Sequence, residues 1–205
     1  MRSNVFGKFD HIIKNYNIDE VLNNSEKLYF GVDIANGSGG DYSVITAFNE
    51  NGVLAYFKRF NNVSQTEQVN ILAKTYNDFK QRINRFNVES NNMGSTFIDL
   101  LRSNGCYPDS FTTTAKTKRG LIDDFIVSVE KGKITLPDDD AIINELQDFQ
   151  VNHKPDGGVS FGSSTGKHDD IVMSLMLAWA GFKKYDYQYD PNNINNDIPI
   201  LIKLR

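Results

Sequence analysis

Five acids stand where a carboxylate needs a reason. Asp33 lies inside the apolar run GVDIA, where a buried charge is costly unless something pairs with it. In a strand, Val32 and Ile34 would point to one face and Asp33 to the other. Asp41 follows in NGSGGDYS, whose glycines permit tight turns that would carry it back toward Asp33. Glu89 ends the run INRFNVE, and the C-terminal edge of a strand is where α/β sheets place their ligands. Asp169 and Asp170 open the apolar segment IVMSLMLAWA. Each acid has an ordinary alternative: a sheet-edge or turn residue for Asp33, a hairpin turn for Asp41, an exposed strand end for Glu89, helix N-caps for Asp169 and Asp170. Gathered in one place, they would repel one another unless hard divalent cations neutralised them. Oxygen ligands select Mg²⁺ or Mn²⁺ over zinc. Two such ions roughly 4 Å apart hydrolyse phosphodiesters in line, one activating water and the other stabilising the leaving oxygen.

Basic residues supply the complementary half of that chemistry. Lys116, Lys118 and Arg119 cluster before a predicted helix. Side-chain charge and free amides there would hold phosphates, the alternative being a solvated helix start. Lys131 and Lys133 flank a glycine turn, and Lys167 and His168 adjoin the paired aspartates. His168 is a candidate for orienting a ligand or water. Asn91 and Asn92 suit caps of the next helix. Cys106, Met173, Met176 and Trp179 read as core or filler.

Positioning these residues requires a sheet. Strong β signal starts at Leu28 with LYFGVDIA and continues through YSVITAFNENG and VLAYFKRF, the last two joined at Asn51-Gly52, a hairpin signal. Helical periodicity follows over Thr66 to Arg82, then a short strand ending at Glu89, and a helix stopping at Gly105. Further short strands (SFTTTA, KITLP) alternate with helices starting near Lys118 and in the acidic triplet Asp138 to Asp140. A Gly/Ser-rich stretch, HKPDGGVSFGSSTGKHD, suits a loop containing a hairpin before the final helix. Before the sheet, the apolar positions of DHIIKNYNIDEVLNN suit a short amphipathic helix. The expected organisation is an N-terminal linker with a short helix over 1–27, an α/β domain over 28–184, and a tail over 185–205. A mixed sheet opening with a three-strand antiparallel meander, with helices on both faces, is the pattern of the RNase H-like fold.

Composition sets limits. The 205 residues suit one domain, and 40% apolar content with 14 Phe and 9 Tyr excludes wholesale disorder. A net charge of −4 excludes a uniformly basic nucleic-acid binder but not a basic patch on an acidic body. A single cysteine forms no internal disulfide and no Cys-based zinc site, so cytosol is the default compartment. No apolar run approaches the ~18–20 residues of a membrane span. The segment Gly162 to His168 imitates a phosphate-binding loop, but Phe161 takes the first glycine's place and His168 that of the Ser/Thr, so no ATP site is expected.

The blocks GVDIANGSGGDYSVITAF, NVESNNMGSTFIDLL, TTAKTKRGLIDDFI and GKHDDIVMSLMLAWA, spread over residues 28–182, resemble the C-terminal nuclease domain of the phage terminase large subunit, the DNA-packaging motor of tailed phages. The HDD and VESNN blocks are the most telling. The resemblance implies an RNase H-like fold and a largely sequence-nonspecific Mg²⁺- or Mn²⁺-dependent endonuclease that cuts concatemeric viral double-stranded DNA in the host cytoplasm. It implies catalytic ligands at Asp33, Glu89 and Asp170, with Asp41 and Asp169 as additional metal ligands. It also implies an excised domain whose full-length protein carries an ATPase domain and works with a portal and a small terminase subunit. Tethering to such a machine would offset the weak DNA affinity of an acidic domain. Two other readings of the same acids are a junction resolvase-like enzyme of this fold and a non-catalytic docking module.

Overall fold

The computed structural model describes residues 4–35, 42–90, 94–153, 159–163 and 168–186. Asp41 and Lys167, together with Asn91, Asn92 and the chain beyond residue 186, lie outside the described residues. Along the chain a 3₁₀ turn at Asp10–Ile12 leads into β1 (Ile13–Lys14) and α1 (Ile18–Asn24). Three strands follow, β2 (Leu28–Asp33), β3 (Ser43–Asn49) and β4 (Leu54–Phe60), then α2 (Gln65–Phe79), β5 (Ile83–Glu89), α3 (Gly94–Ser103) and β6 (Asp109–Phe111). The remainder is α4 (Ala115–Glu130), β7 (Leu136–Pro137), α5 (Asp140–Asp148), the hairpin β8 (Phe149–His153) and β9 (Val159–Ser163), and α6 (Asp170–Asp186).

Five strands form the central sheet in the order β4-β3-β2-β5-β6. The β4-β3-β2 half is antiparallel and the β2-β5-β6 half parallel, which is the predicted mixed sheet with a leading meander. Strand alternation divides the core in two. Phe30, Val32, Ile45 and Val88 join Leu72 of α2 and Phe97 and Leu101 of α3 on one face. Val44 and Phe48 join Ile122 and Phe125 of α4, Ile142 and Leu146 of α5, and most of α6 on the other. Helices therefore cover both faces. The segment ahead of the sheet adds Phe6, Phe9 and Ile12 to the α6 side. The periodic stretch 10–24 is not one helix: Asn17 caps α1 by accepting from the amides of Asp19 and Glu20, and the chain before it pairs with β7. Among the described residues no helix is long and apolar enough to cross a membrane.

Helix α6 touches the sheet with almost nothing between. A β-carbon added at Gly31 of β2 would stand 2.1 Å from the Ser174 carbonyl oxygen and 2.2 Å from the Ala178 amide nitrogen. Glycine is needed there because two backbones meet. Ser174 fastens the contact: its Oγ donates to the Gly31 carbonyl at 2.8 Å and pairs with Thr46 Oγ1 at 2.9 Å. Asn87 of β5 donates to the Leu177 carbonyl at 2.8 Å. Trp179 is clamped between Phe48 and Phe182 and donates to Ser128 of α4 at 2.7 Å. This seat sets where α6 begins, and hence where Asp170 lies.

A Gly31→Ala substitution therefore drives α6 off β2. The expected loss is about 3 kcal/mol, at the upper end for overpacking, read as a lowered urea midpoint; an unchanged midpoint would contradict the close seat.

Candidate active site

The acids come from three elements, β2 and β5, which end here, and α6, which begins here. Asp33 is the last residue of β2 and stands opposite Val44, which stands opposite Arg59 of β4. Val32 pairs with Val88 of β5, so Asp33 and Glu89 are next to each other on adjacent strand ends. Because Val32 and Val88 both face α2 and α3, alternation turns Asp33 and Glu89 toward α6. Their carboxyls stand close enough to crowd each other. Asp33 is held well above the usual carboxylate range, chiefly by desolvation, then by the charges of Glu89 and Asp170, the hydrogen bond with Glu89, and the charge of Asp169. The structure thus brings together Asp33, Glu89, Asp169 and Asp170.

The two aspartates at the mouth of α6 have distinct partners. Asp170 Oδ2 accepts from the Tyr42 amide at 3.0 Å and lies 3.6 Å from His168 Nδ1. Asp169 Oδ2 lies 3.3 Å from Lys118 Nζ of α4. It also lies 3.1 Å from where a β-carbon on Gly162 of β9 would stand, so the bare glycine lets the hairpin close on it. Ser163 of the same strand donates to the His168 carbonyl. Neither aspartate caps α6 through its side chain in these contacts. Instead Glu145 of α5 supplies an acceptor: Oε2 takes the Ile171 amide at 2.8 Å, and the Val172 amide also points to this carboxyl.

Glu145 is one of three site residues that the sequence reading missed. Burial pushes its carboxyl up to about 7, the Ile171 amide opposes that, and the charge of Asp170 reinforces it. Arg59 Nη2 lies 3.7 Å from Glu145 Oε1, and the Arg59 guanidinium stacks 3.5 Å above the Tyr42 ring. Tyr42 in turn meets the His168 ring edge-on at 5.5 Å. A cleft of about 460 Å³ opens beside this group, lined by Arg59, Asp140, Asn144, Glu145, Asp148 and His168. A signal for Glu145 existed: it sits within the apolar stripe of Ile142, Leu146 and Phe149, where a carboxylate has no ordinary place.

The basic residues separate. Lys118 is at the acids. Lys116 is exposed in the first turn of α4, and Arg119 grips Asp123 through Nε at 2.8 and 2.9 Å while its guanidinium lies over Phe161 of β9. Lys131 and Lys133 follow the other end of α4, thirteen or more residues beyond Lys118 and so about 20 Å along the helix axis. Cys106 is buried in the opposite core, so no thiol reaches the acids.

The donor set, carboxylate oxygens with one imidazole, fits a hard divalent cation. Among the described residues no three such groups converge tightly enough to hold an ion as they stand. Asp33 and Glu89 hold each other, Asp169 turns to Lys118, and Asp170 turns to Tyr42 and His168. Cation binding at these acids would compete with protons, most of all at Asp33.

Comparison with known proteins shows the family and the fold. Residues 30–180 match the family described as the terminase RNaseH-like domain. The chain belongs to that family. It is 27% identical over 157 residues to the terminase large subunit of Thermus phage G20c, covering 75% of this chain and 32% of that protein. The corresponding protein of Thermus virus P23-45 is 26% identical over the same length. The chain thus spans about a third of the length of these relatives. Among solved structures, the large terminase nuclease from phage G20c superposes with a TM-score of 0.72 at 24% identity, covering 88% of this chain and 98% of that one. The same nuclease with bound magnesium gives 0.73, and with bound cobalt 0.72 at 25% identity. The fold is RNase H-like, as the meander predicted.

The raised Asp33 has a consequence for stability without metal. A group that holds its proton more tightly folded than unfolded stabilises the fold at low pH. That stability is lost as pH rises from the ordinary carboxylate value through the raised one. Asp33→Asn mimics the protonated form and escapes the loss. In EDTA at pH 8 the variant is expected to melt about 3 °C or more above wild type, with the gap closing toward pH 4. Equal melting at both pH values would contradict the crowding of Asp33.

Proposed function

We propose that this chain is the metal-dependent endonuclease domain of a terminase large subunit, cutting concatemeric double-stranded viral DNA during genome packaging. The observation that carries the reading is the placement of Asp33 beside Glu89 at adjacent strand ends, close to the charges of Asp169 and Asp170. Four carboxylates at one sheet edge are costly in a protein that has no use for them. The magnesium- and cobalt-bound forms of the similar phage G20c nuclease support a divalent ion as the partner of that edge.

In this reading Asp33, Glu89 and Asp170 are the principal ligands of two Mg²⁺ or Mn²⁺ ions, with Asp41 and Asp169 contributing. Bound there, the ions supply an activated water and stabilise the leaving oxygen of an in-line hydrolysis. The protein's part is to fix the ligands. The Gly31 seat places Asp170, the parallel pairing of β2 and β5 places Asp33 beside Glu89, and the Tyr42 amide and His168 orient the Asp170 carboxylate. Lys118 offsets the charge of Asp169 and stands ready to meet a phosphate. In this reading Lys116, Arg119 and Lys167 are further phosphate contacts, and Lys131 and Lys133 would meet the DNA backbone some 20 Å along α4. The remaining partners of this reading are the ATPase domain of a full-length terminase, the portal and the small subunit, acting in the host cytoplasm.

The test is plasmid nicking and linearisation with Mg²⁺ or Mn²⁺. Wild type is expected to cut, EDTA to abolish cutting, and Asp33→Asn and Asp170→Asn to lose about 100-fold or more. Cleavage by either variant at the wild-type rate would defeat the assignment. A strong preference for branched over linear duplex DNA would point instead to a junction-resolving enzyme of the same fold.

A further inference from the structure

Helix α6 starts at Asp170, so Asp169 holds the N-cap position, where Asp, Asn, Ser and Thr side chains ordinarily bend back to cap the first free amides, and Asp170 follows in the first turn beside them. A carboxylate that caps is committed to its own helix and lost to any other partner. Here the Ile171 amide is instead taken by Glu145 Oε2 at 2.8 Å, from a different helix, and the Val172 amide also points to Glu145. The Asp169 carboxylate meets Lys118, and the Asp170 carboxylate meets the Tyr42 amide and His168.

Glu145 is in turn held in place. Its side chain is 9% exposed, it rises from the buried stripe of α5 between Ile142 and Leu146, and Arg59 stands at its second oxygen. Arg59 lies in the same row across the sheet as Val44 and Asp33, and it stacks on Tyr42, the residue whose amide holds Asp170. Glu145 Oε1 and Arg59 Nε are both buried without a hydrogen-bond partner. An acid left partly unsatisfied in the interior needs a role beyond packing.

We infer that Glu145, braced by Arg59, is a positioning residue that caps α6 from α5 and so frees the Asp169 and Asp170 carboxylates for metal binding. The inference rests on the nuclease reading above and deepens it. Without Glu145, the Ile171 and Val172 amides are open donors at the positive end of a 17-residue helix, and the nearest carboxylates able to satisfy them are Asp169 and Asp170. Each that turns inward is withdrawn from the acid centre. What matters is an acceptor at the right reach, so glutamine, with the same length and an amide oxygen, is expected to serve. Aspartate, one methylene shorter, is not.

The experiment is Mn²⁺ titration of the whole chain followed by the electron-spin resonance of free Mn²⁺, comparing wild type with Glu145→Gln, Glu145→Asp and Glu145→Ala. Trp179, the single tryptophan and part of the α6 seat, reports by its emission whether the helix stays docked. With wild-type emission, Glu145→Ala and Glu145→Asp are expected to bind Mn²⁺ about tenfold more weakly, the scale of losing support behind a metal ligand. Glu145→Gln is expected within about threefold of wild type. If Glu145→Ala does not fold, Glu145→Asp carries the same expectation. Wild-type affinity in the alanine or aspartate variant overturns the inference, as does a glutamine variant as weak as alanine, which would make the charge the operative feature. If wild type itself neither binds Mn²⁺ nor cuts DNA, the nuclease reading fails and the inference falls with it. If wild type does both while the variants match it, the inference alone falls.

Discussion

Helix α6 approaches β2 so closely that only a residue without a side chain fits between them. The missing β-carbon at Gly31, with Ser174 bonded to the strand's own carbonyl, fixes the helix along its length and in rotation. The position of Asp170 relative to Asp33 follows from that seat as a matter of rigid geometry. Parallel pairing of β2 with β5 supplies the second constraint, placing Glu89 beside Asp33. The acid edge is thus assembled from distant parts of the chain by two backbone-level interactions, and the side chains have little freedom to be elsewhere.

The same rigidity makes the edge electrostatically uncomfortable. Carboxylates forced together in a partly desolvated place respond by holding protons or by finding cationic or amide partners, as Asp33, Asp169 and Asp170 do here. Lys118 with Asp169, and Tyr42 and His168 with Asp170, are stand-ins of modest strength. A divalent cation would replace them and relieve the crowding at Asp33. That balance suits a site that must stay folded empty and fill when needed.

Much of the fold was legible because it rests on local signals. Alternating apolar residues and the Asn51-Gly52 turn mark the meander, Asp138 to Asp140 mark the start of α5, and Gly105 and Gly132 stop α3 and α4 with positive φ. Asp33, Glu89, Asp169 and Asp170 were legible because each breaks a local pattern. The boundary between α1 and the chain before it was not, since a 3.6-residue periodicity continues through Asn17 although its side chain caps a new helix there. Of the β8–β9 hairpin, expected within the Gly/Ser-rich stretch, the first strand was not legible, because Phe149–His153 continues the helical-looking run of α5. Glu145, Arg59 and Tyr42 escaped for a deeper reason. Their contacts span tens of residues of chain, and a lone Glu on an apolar stripe or a lone Arg in a strand says nothing of what it meets. The basic tripod was read as a unit, yet three neighbouring residues on a helix point in different directions. Only Lys118 reaches an acid of the site, while Arg119 folds back on Asp123.

The central claim is that Asp33, Glu89 and Asp170 share metal. Its most direct test is a crystal of this chain grown with Mn²⁺ and measured for anomalous scattering at the manganese edge. Anomalous peaks within coordination distance of all three carboxylates, two of them roughly 4 Å apart, are the expected result. An anomalous map empty between those residues at saturating Mn²⁺, or peaks bound only to surface acids such as Asp138 and Asp140, would contradict it.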